Sequence, residues 1–286
     1  MTTDTGFTIK RGKVGILLLH RLCGAPLEMR FVANGLASLG YTVHCPRLAG
    51  HCGTLEALRA STWTDWYRTA QYALDEICSE CDVVVAGGLS AGAILALILA
   101  ARNPGKVQAA TLLAPTLWLN GWMIPWYARG FGLIRQKWFA NLFAFRHHHA
   151  HGIKDERIRE FIQRARGVHG AADHPVTPGG AVFEHRRLAK EARKLVAFVR
   201  QPTLIVHPRD DDYAALDNAT YLRDRLRGPV QLTVLDDCYH IVTVDRQRHL
   251  VVDAISRFAA ALDGTGMSKM HSVHVSEHQS ARALGA

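Results

Sequence analysis

The chain has 286 residues, 48% hydrophobic and 21% charged, a composition that excludes a collagen-like, disulfide-scaffold or largely disordered protein. Its formal net charge is +9. Fifteen Lys and Arg against six Asp and Glu between Thr116 and Arg200 account for all of that excess, which marks the segment as a region of separate construction.

Strands and helices alternate through the first 115 residues. Val14–Leu19 is a short, continuous apolar run of the kind a parallel strand shows when both its faces are buried. Pro26–Leu39 carries apolar residues at helical spacing and stops at Gly40; Tyr41–Cys45 is the next strand. A helix over Thr64–Cys78, a strand over Asp82–Ala86, a helix over Ala91–Arg102 and a strand over Ala109–Ala114 follow. The rhythm breaks at Pro115. Residues 116–200 are basic and aromatic, and hold four of the six tryptophans. It resumes with a strand at Thr203–His207, a helix at Leu216–Arg227, a strand at Val230–Leu235 and a closing helix at Arg246–Leu262. The expected architecture is therefore α/β: a mostly parallel sheet with helices on both faces, built from 1–115 and 201–263. Residues 116–200 are expected as an inserted helical lid, and 264–286 as a disordered tail.

Gly88-Leu89-Ser90-Ala91-Gly92 falls between a predicted strand and a predicted helix. G-x-S-x-G needs that context: a tight turn lifts the serine hydroxyl above the sheet, and the helix N-terminus behind it offers N–H groups to a developing negative charge. A serine nucleophile also needs a base and an orienting acid. The strand at Thr203–His207 leads into Asp210, Asp211 and Asp212, and the strand at Val230–Leu235 leads into His240. Both arrive in the order Ser, Asp, His. Three adjacent aspartates leave the acid open on spacing alone.

On these residues the chain resembles the α/β-hydrolases, most closely the bacterial carboxylesterase and monoacylglycerol-lipase (serine aminopeptidase S33-like) group. Leu17-Leu18-Leu19-His20 is similar to that group's strand entering its oxyanion loop. Leu36 through His51 is similar to the helix, strand and loop that follow, and Tyr239 through Asp245 to the segment bearing the catalytic histidine. The resemblance implies a serine hydrolase of carboxylic esters acting on short- to medium-chain acyl esters or monoacylglycerol-like substrates, with no metal or cofactor. It implies Ser90 as nucleophile, His240 as base and, with Pro208 at the family's glycine, Asp211 as acid; Asp210 is the next candidate. The oxyanion hole it implies is the backbone N–H of Leu22 and of Ala91. Arg21 stands where the family has glycine, and either points outward or adapts the hole to an anionic substrate.

Trp118, Trp122 and Trp126 recur every four residues, which on one helix would line them along one face as an apolar wall for an acyl chain. The basic segment suits a weak association with an acidic membrane surface, or the phosphates of an acyl-thioester in a thioesterase or acyltransferase. A non-catalytic ligand-binding homologue is a third reading. The run His147–His151 is read as a lid loop, Lys154–Arg166 as a solvated helix face, and Cys78 and Cys81 as ordinary reduced thiols. Nucleic-acid binding has only the net charge in its favour.

Overall fold

A seven-stranded sheet organises the chain, in a computed structural model that describes residues 5–146, 152–169 and 176–263. The His147–His151 run and the segment after Asp263 lie outside the described residues. In chain order the sheet strands are β1 (Phe7–Ile9), β2 (Val14–Leu19), β3 (Thr42–Cys45), β4 (Val83–Leu89), β5 (Ala109–Leu113), β8 (Thr203–Pro208) and β9 (Val230–Leu235). The spatial order is β1-β3-β2-β4-β5-β8-β9. Within this sheet only the edge pair β1–β3 is antiparallel; every other neighbouring pair runs parallel. β4 thus sits mid-sheet, between β2 and β5, so its C-terminal end opens at the centre of one sheet rim. That is where a parallel sheet offers a ligand crevice.

The period-two alternation of β2 divides the core. Leu17 and Leu19 join a cluster with α3 (Trp63–Glu80) and α4 (Ala91–Arg102); Ile16 and Leu18 join another with α1 (Arg30–Ser38) and α9 (Arg248–Asp263). Helices therefore cover both faces, as expected. α4 is buried on almost every side, which accounts for a sequence that is apolar all round rather than striped. α3 starts in a capping box, in which the Thr62 side chain accepts from the Asp65 N–H and the Asp65 carboxylate accepts from the Thr62 N–H.

Several elements depart from the sequence expectation. β4 continues through Gly87, Gly88 and Leu89 where the pattern suggested a stop at Ala86. Pro26–Met29 is a 3-10 turn ahead of α1, while β1 and α2 (Leu55–Ala60) carry no periodic signal over so few residues. Within 116–200 stand a 3-10 segment at Trp126–Leu133, α5 (Lys137–Ala140), a two-stranded ribbon of β6 (Ala144–Arg146) and β7 (Val176–Pro178), α6 (Glu156–His169) and α7 (Gly179–Leu195). Leu188, Ala189 and Ala192 of α7 are buried in the same cluster as α4.

The three-tryptophan stripe is not a helical face, because five residues between Leu117 and Met123 spend their backbone donors elsewhere. The N–H groups of Leu117 and Trp118 bond Asn218 Oδ1, those of Asn120 and Gly121 bond the Tyr213 carbonyl, and that of Met123 bonds the Asp212 carbonyl. Pro125 then precedes the 3-10 segment. Tertiary hydrogen bonds to the loop after β8 replace the helical ladder.

Candidate active site

The tight turn between β4 and α4 puts Ser90 at φ 58 and ψ −113, a strained backbone for any residue with a Cβ. The flanking glycines are there for contact. A Cβ on Gly88 would lie 2.5 Å from the Gly92 carbonyl carbon, and one on Gly92 would lie 2.1 Å from the Leu19 carbonyl oxygen. Only bare backbone lets β2, β4 and α4 converge this closely. The Ser90 N–H bonds the Leu113 carbonyl at 2.8 Å, which pins the turn to β5.

Three sequence-predicted side chains meet above this turn, all buried. Ser90 Oγ lies 2.9 Å from His240 Nε2, and His240 Nδ1 lies 2.8 and 3.0 Å from the two oxygens of Asp211. Asp211 Oδ1 also accepts the N–H groups of Tyr213 and Ala214, each at 2.8 Å, so the carboxylate is held in place by its own turn. Burial pushes Asp211 up, but the His240 charge and hydrogen bond, with His207 beyond, outweigh it and leave the carboxyl below its ordinary range. Burial pulls His240 down, and the carboxylates of Asp211 and Asp212 more than reverse it, so the imidazole lies above 6.5. With Nδ1–H donated to Asp211, neutral His240 presents the Nε2 lone pair to the serine hydroxyl.

The neighbouring aspartates face elsewhere. Asp210 is exposed, and its carbonyl accepts the Trp122 indole N–H at 3.1 Å. Asp212 is buried and ties two backbones together: it accepts from the Gly152 N–H at 2.7 Å and from the His240 N–H at 3.2 Å. Burial raises its pKa.

At the end of β2, buried His20 sets the adjoining loop. Its Nε2 accepts the Leu48 N–H at 3.1 Å, so Nδ1 carries the proton and donates to the Arg21 carbonyl at 2.9 Å. Burial, then the neighbouring His51, hold His20 well below 6.5 and therefore neutral. In a trans peptide the next N–H points opposite to that carbonyl, which turns the Leu22 N–H away from His20. Ala91 is the first residue of α4, and its N–H has no carbonyl within the helix to bond. Arg21 folds back on the loop: its guanidinium lies 3.0 Å from Glu28 and donates to the Leu22 carbonyl, while its own N–H donates to Glu28 Oε1.

The two predicted lid tryptophans take different places. Trp118 is half-buried, edge-on to Tyr221 at 4.8 Å, with the Arg193 guanidinium over its ring. Trp122 is exposed and edge-on to Tyr239, next to His240. Sequence reasoning missed Thr116, whose hydroxyl oxygen lies 3.1 Å from Ser90 Oγ, and buried His185 of α7, which burial and the His240 charge push down to about 4. Neither stands in a motif. Thr116 follows Pro115 at the end of β5, a position only the strand order brings beside β4.

Residues 11–247 match the family model described as serine aminopeptidase, S33. The chain belongs to that family. Among relatives of this S33 chain, the thermostable monoacylglycerol lipase of Bacillus sp. (strain H-257) is 24% identical, over 89% of this chain and 93% of the relative. The carboxylesterase of Bacillus subtilis (strain 168) is also 24% identical, over 92% and 99%. A structure from the work on LipS and LipT, two metagenome-derived lipolytic enzymes, superposes with a TM-score of 0.77 at 25% identity, covering 90% of this chain and 97% of that one. The fold is the α/β-hydrolase fold. A soluble variant of monoglyceride lipase from Saccharomyces cerevisiae shares it at 13% identity, with a TM-score of 0.74 over 89% and 90% of the two chains. No helix among the described residues is long and apolar enough to cross a membrane.

Proposed function

We infer that the chain is a serine hydrolase of carboxylic esters with short to medium acyl chains, monoacylglycerols among them, working through an acyl-enzyme on Ser90. The observation that carries this reading is the unbroken line Asp211–His240–Ser90, with contacts of 2.8 and 2.9 Å, at a strained turn before a helix N-terminus. His240 takes the Ser90 proton as the oxygen attacks the acyl carbonyl. Asp211 holds the imidazole and stabilises its charge. The N–H groups of Leu22 and Ala91 receive the oxyanion, each contributing about 3 kcal/mol to the transition state. His240 then returns its proton to the leaving alcohol, and water repeats the sequence on the acyl-enzyme. No step calls for a metal or cofactor. The names of the two Bacillus relatives support the substrate class.

Arg21 enters this reading as a brace. Its charge is paired with Glu28, and the pair fixes the loop that presents the Leu22 N–H. Residues 1–115 and 201–263 form the catalytic core in this account, and 116–200 its cover, rooted in the core through α7. Trp118 and Trp122 flank the approach to Ser90. The free thiols among the described residues fit a reducing, cytoplasmic location. Exposed apolar side chains of the cover, among them Trp126, Leu133 and Trp138, together with its basic excess, fit a weak association with an acidic membrane surface.

Hydrolysis of p-nitrophenyl esters from acetate to palmitate tests the reading. Wild type turns over the shorter members and Ser90→Ala turns over none. Turnover by Ser90→Ala at the wild-type rate, or none by wild type alongside turnover of acyl-thioesters, would overturn it.

A further inference from the structure

We propose that the Thr116 hydroxyl is a two-position hydrogen-bond partner of Ser90, resting on the Ala114 carbonyl and turning to the serine oxygen as its proton leaves. The proposal rests on Ser90 being the nucleophile and adds a residue that the G-x-S-x-G pattern and the triad do not include.

The count of protons makes the case. Thr116 is fully buried, and its Oγ1 lies 3.1 Å from Ser90 Oγ and 3.1 Å from the Ala114 carbonyl oxygen. A hydroxyl has one proton to donate and lone pairs to accept with. With His240 neutral, the Ser90 proton is committed to Nε2 at 2.9 Å. Thr116 then donates to Ala114, or to Ser90 Oγ, but not to both. Rotation about one C–O bond exchanges the two.

When His240 takes the serine proton, Ser90 Oγ gains negative charge while the Ala114 carbonyl stays neutral. A donor with equal reach to both prefers the charged oxygen, because hydrogen bonds to charged groups are roughly twice as strong. Thr116 thereby stabilises the alkoxide during attack and returns to Ala114 once Ser90 Oγ has become an ester oxygen. No proton passes through Thr116; the proton goes from Ser90 to His240 and on to the leaving group.

The same geometry acts in reverse at low pH. Protonated His240 has no lone pair at Nε2, so the Ser90 hydroxyl turns to Thr116 Oγ1, whose own proton stays on Ala114. This bond favours the protonated-histidine form. The charged and titratable groups that face His240 are Asp211, Asp212 and Tyr213 from the loop after β8, the Tyr213 ring lying 5.3 Å from the imidazole, with His207 of β8, His185 of α7 and Arg21 from the loop after β2. None of them is altered by a change at Thr116.

Thr116→Val keeps the shape and removes the hydroxyl, and Thr116→Ser keeps the hydroxyl and removes the methyl. With a p-nitrophenyl ester turned over by wild type, Thr116→Val is expected to lower kcat by about 10- to 100-fold. KM stays within about twofold, since the bond forms only as charge develops. The acidic limb of kcat/KM moves to lower pH by about half a unit to one unit, because the variant lacks the acceptor that favoured protonated His240. Thr116→Ser restores both. Thermal melting reports whether each variant is folded, and Thr116→Ala carries the same expectation if valine is not accommodated. A folded Thr116→Val with wild-type kcat and an unmoved limb overturns the proposal. So does a Thr116→Ser no better than valine, which would assign the effect to packing. Ser90→Ala, run alongside, separates the two claims. Its activity would sink the nucleophile itself, whereas an inactive Ser90→Ala with an unaffected Thr116→Val sinks only the role of Thr116.

Discussion

Asp210, Asp211 and Asp212 are chemically identical and three bonds apart along the chain, yet they do three different things. Asp211 turns inward and meets an imidazole and two backbone N–H groups, which more than offset its burial. Asp212 is buried against backbone donors alone, so desolvation dominates and its pKa rises. Asp210 stays in solvent. The orienting role falls to Asp211 alone, and steady-state kinetics checks it: Asp211→Asn lowers kcat by about 10⁴-fold through loss of the correct tautomer, and Asp210→Asn stays within about twofold of wild type. The raised pKa of His240 also sets two opposing pH trends. The neutral base needed for attack is populated only as pH rises through the folded value, above 6.5. The stabilisation that protonated His240 gives the fold is fully present below its unfolded pKa and is lost over that same rise.

Elements differ in how much of their cause is local. The capping box of Thr62 and Asp65 is written in four residues and closes the start of α3 without contributing to the Ser90–His240–Asp211 line. Thr62→Ala is expected to cost about 1 kcal/mol and lower Tm by about 2–4 °C, with kcat unchanged, as read by thermal melting and ester turnover. The doubly buried strands β2, β5 and β8, and α4 between its start at Ala91 and the Asn103-Pro104-Gly105 stop, were equally legible, because burial on all sides leaves an unbroken apolar run. So were Ser90 and His240, each fixed by its place just after a strand. The acid was not separable by spacing, because the choice among three aspartates depends on which side chain the Asp211 turn directs inward. The segment after Pro115 was least legible. Its tryptophan spacing is helical, but the backbone donors of Leu117, Trp118, Asn120, Gly121 and Met123 are taken by Asn218, Tyr213 and Asp212, partners 89 to 101 positions away. Thr116 shares that cause, since its contact with Ser90 exists only because β5 lies beside β4.

At the scale of the molecule, charge and apolar exposure fall in one region. Residues 116–200 carry the whole net charge of +9, and they expose Trp126 at 81%, Leu133 at 85% and Trp138 at 68%. Large side chains left in water on a basic surface fit contact with an anionic, apolar-backed interface. Co-sedimentation with vesicles of mixed anionic and neutral phospholipid is expected to show binding at low salt that weakens steeply as ionic strength rises, and to be reduced in a Trp126→Ser, Trp138→Ser double variant. The rest of the molecule is electrically balanced. The sheet order sets β4 at the centre, and the loops after β4, β5, β8 and β9 bring Ser90, Thr116, Asp211 and His240 together, so side chains from four separate stretches of chain meet at one site. Trapping with a fluorophosphonate, followed by peptide mass spectrometry, tests that convergence most directly. A single adduct on Ser90, formed rapidly in wild type and slowly in His240→Ala, is the predicted result. An adduct on another residue, or no adduct on folded wild-type protein, would contradict it.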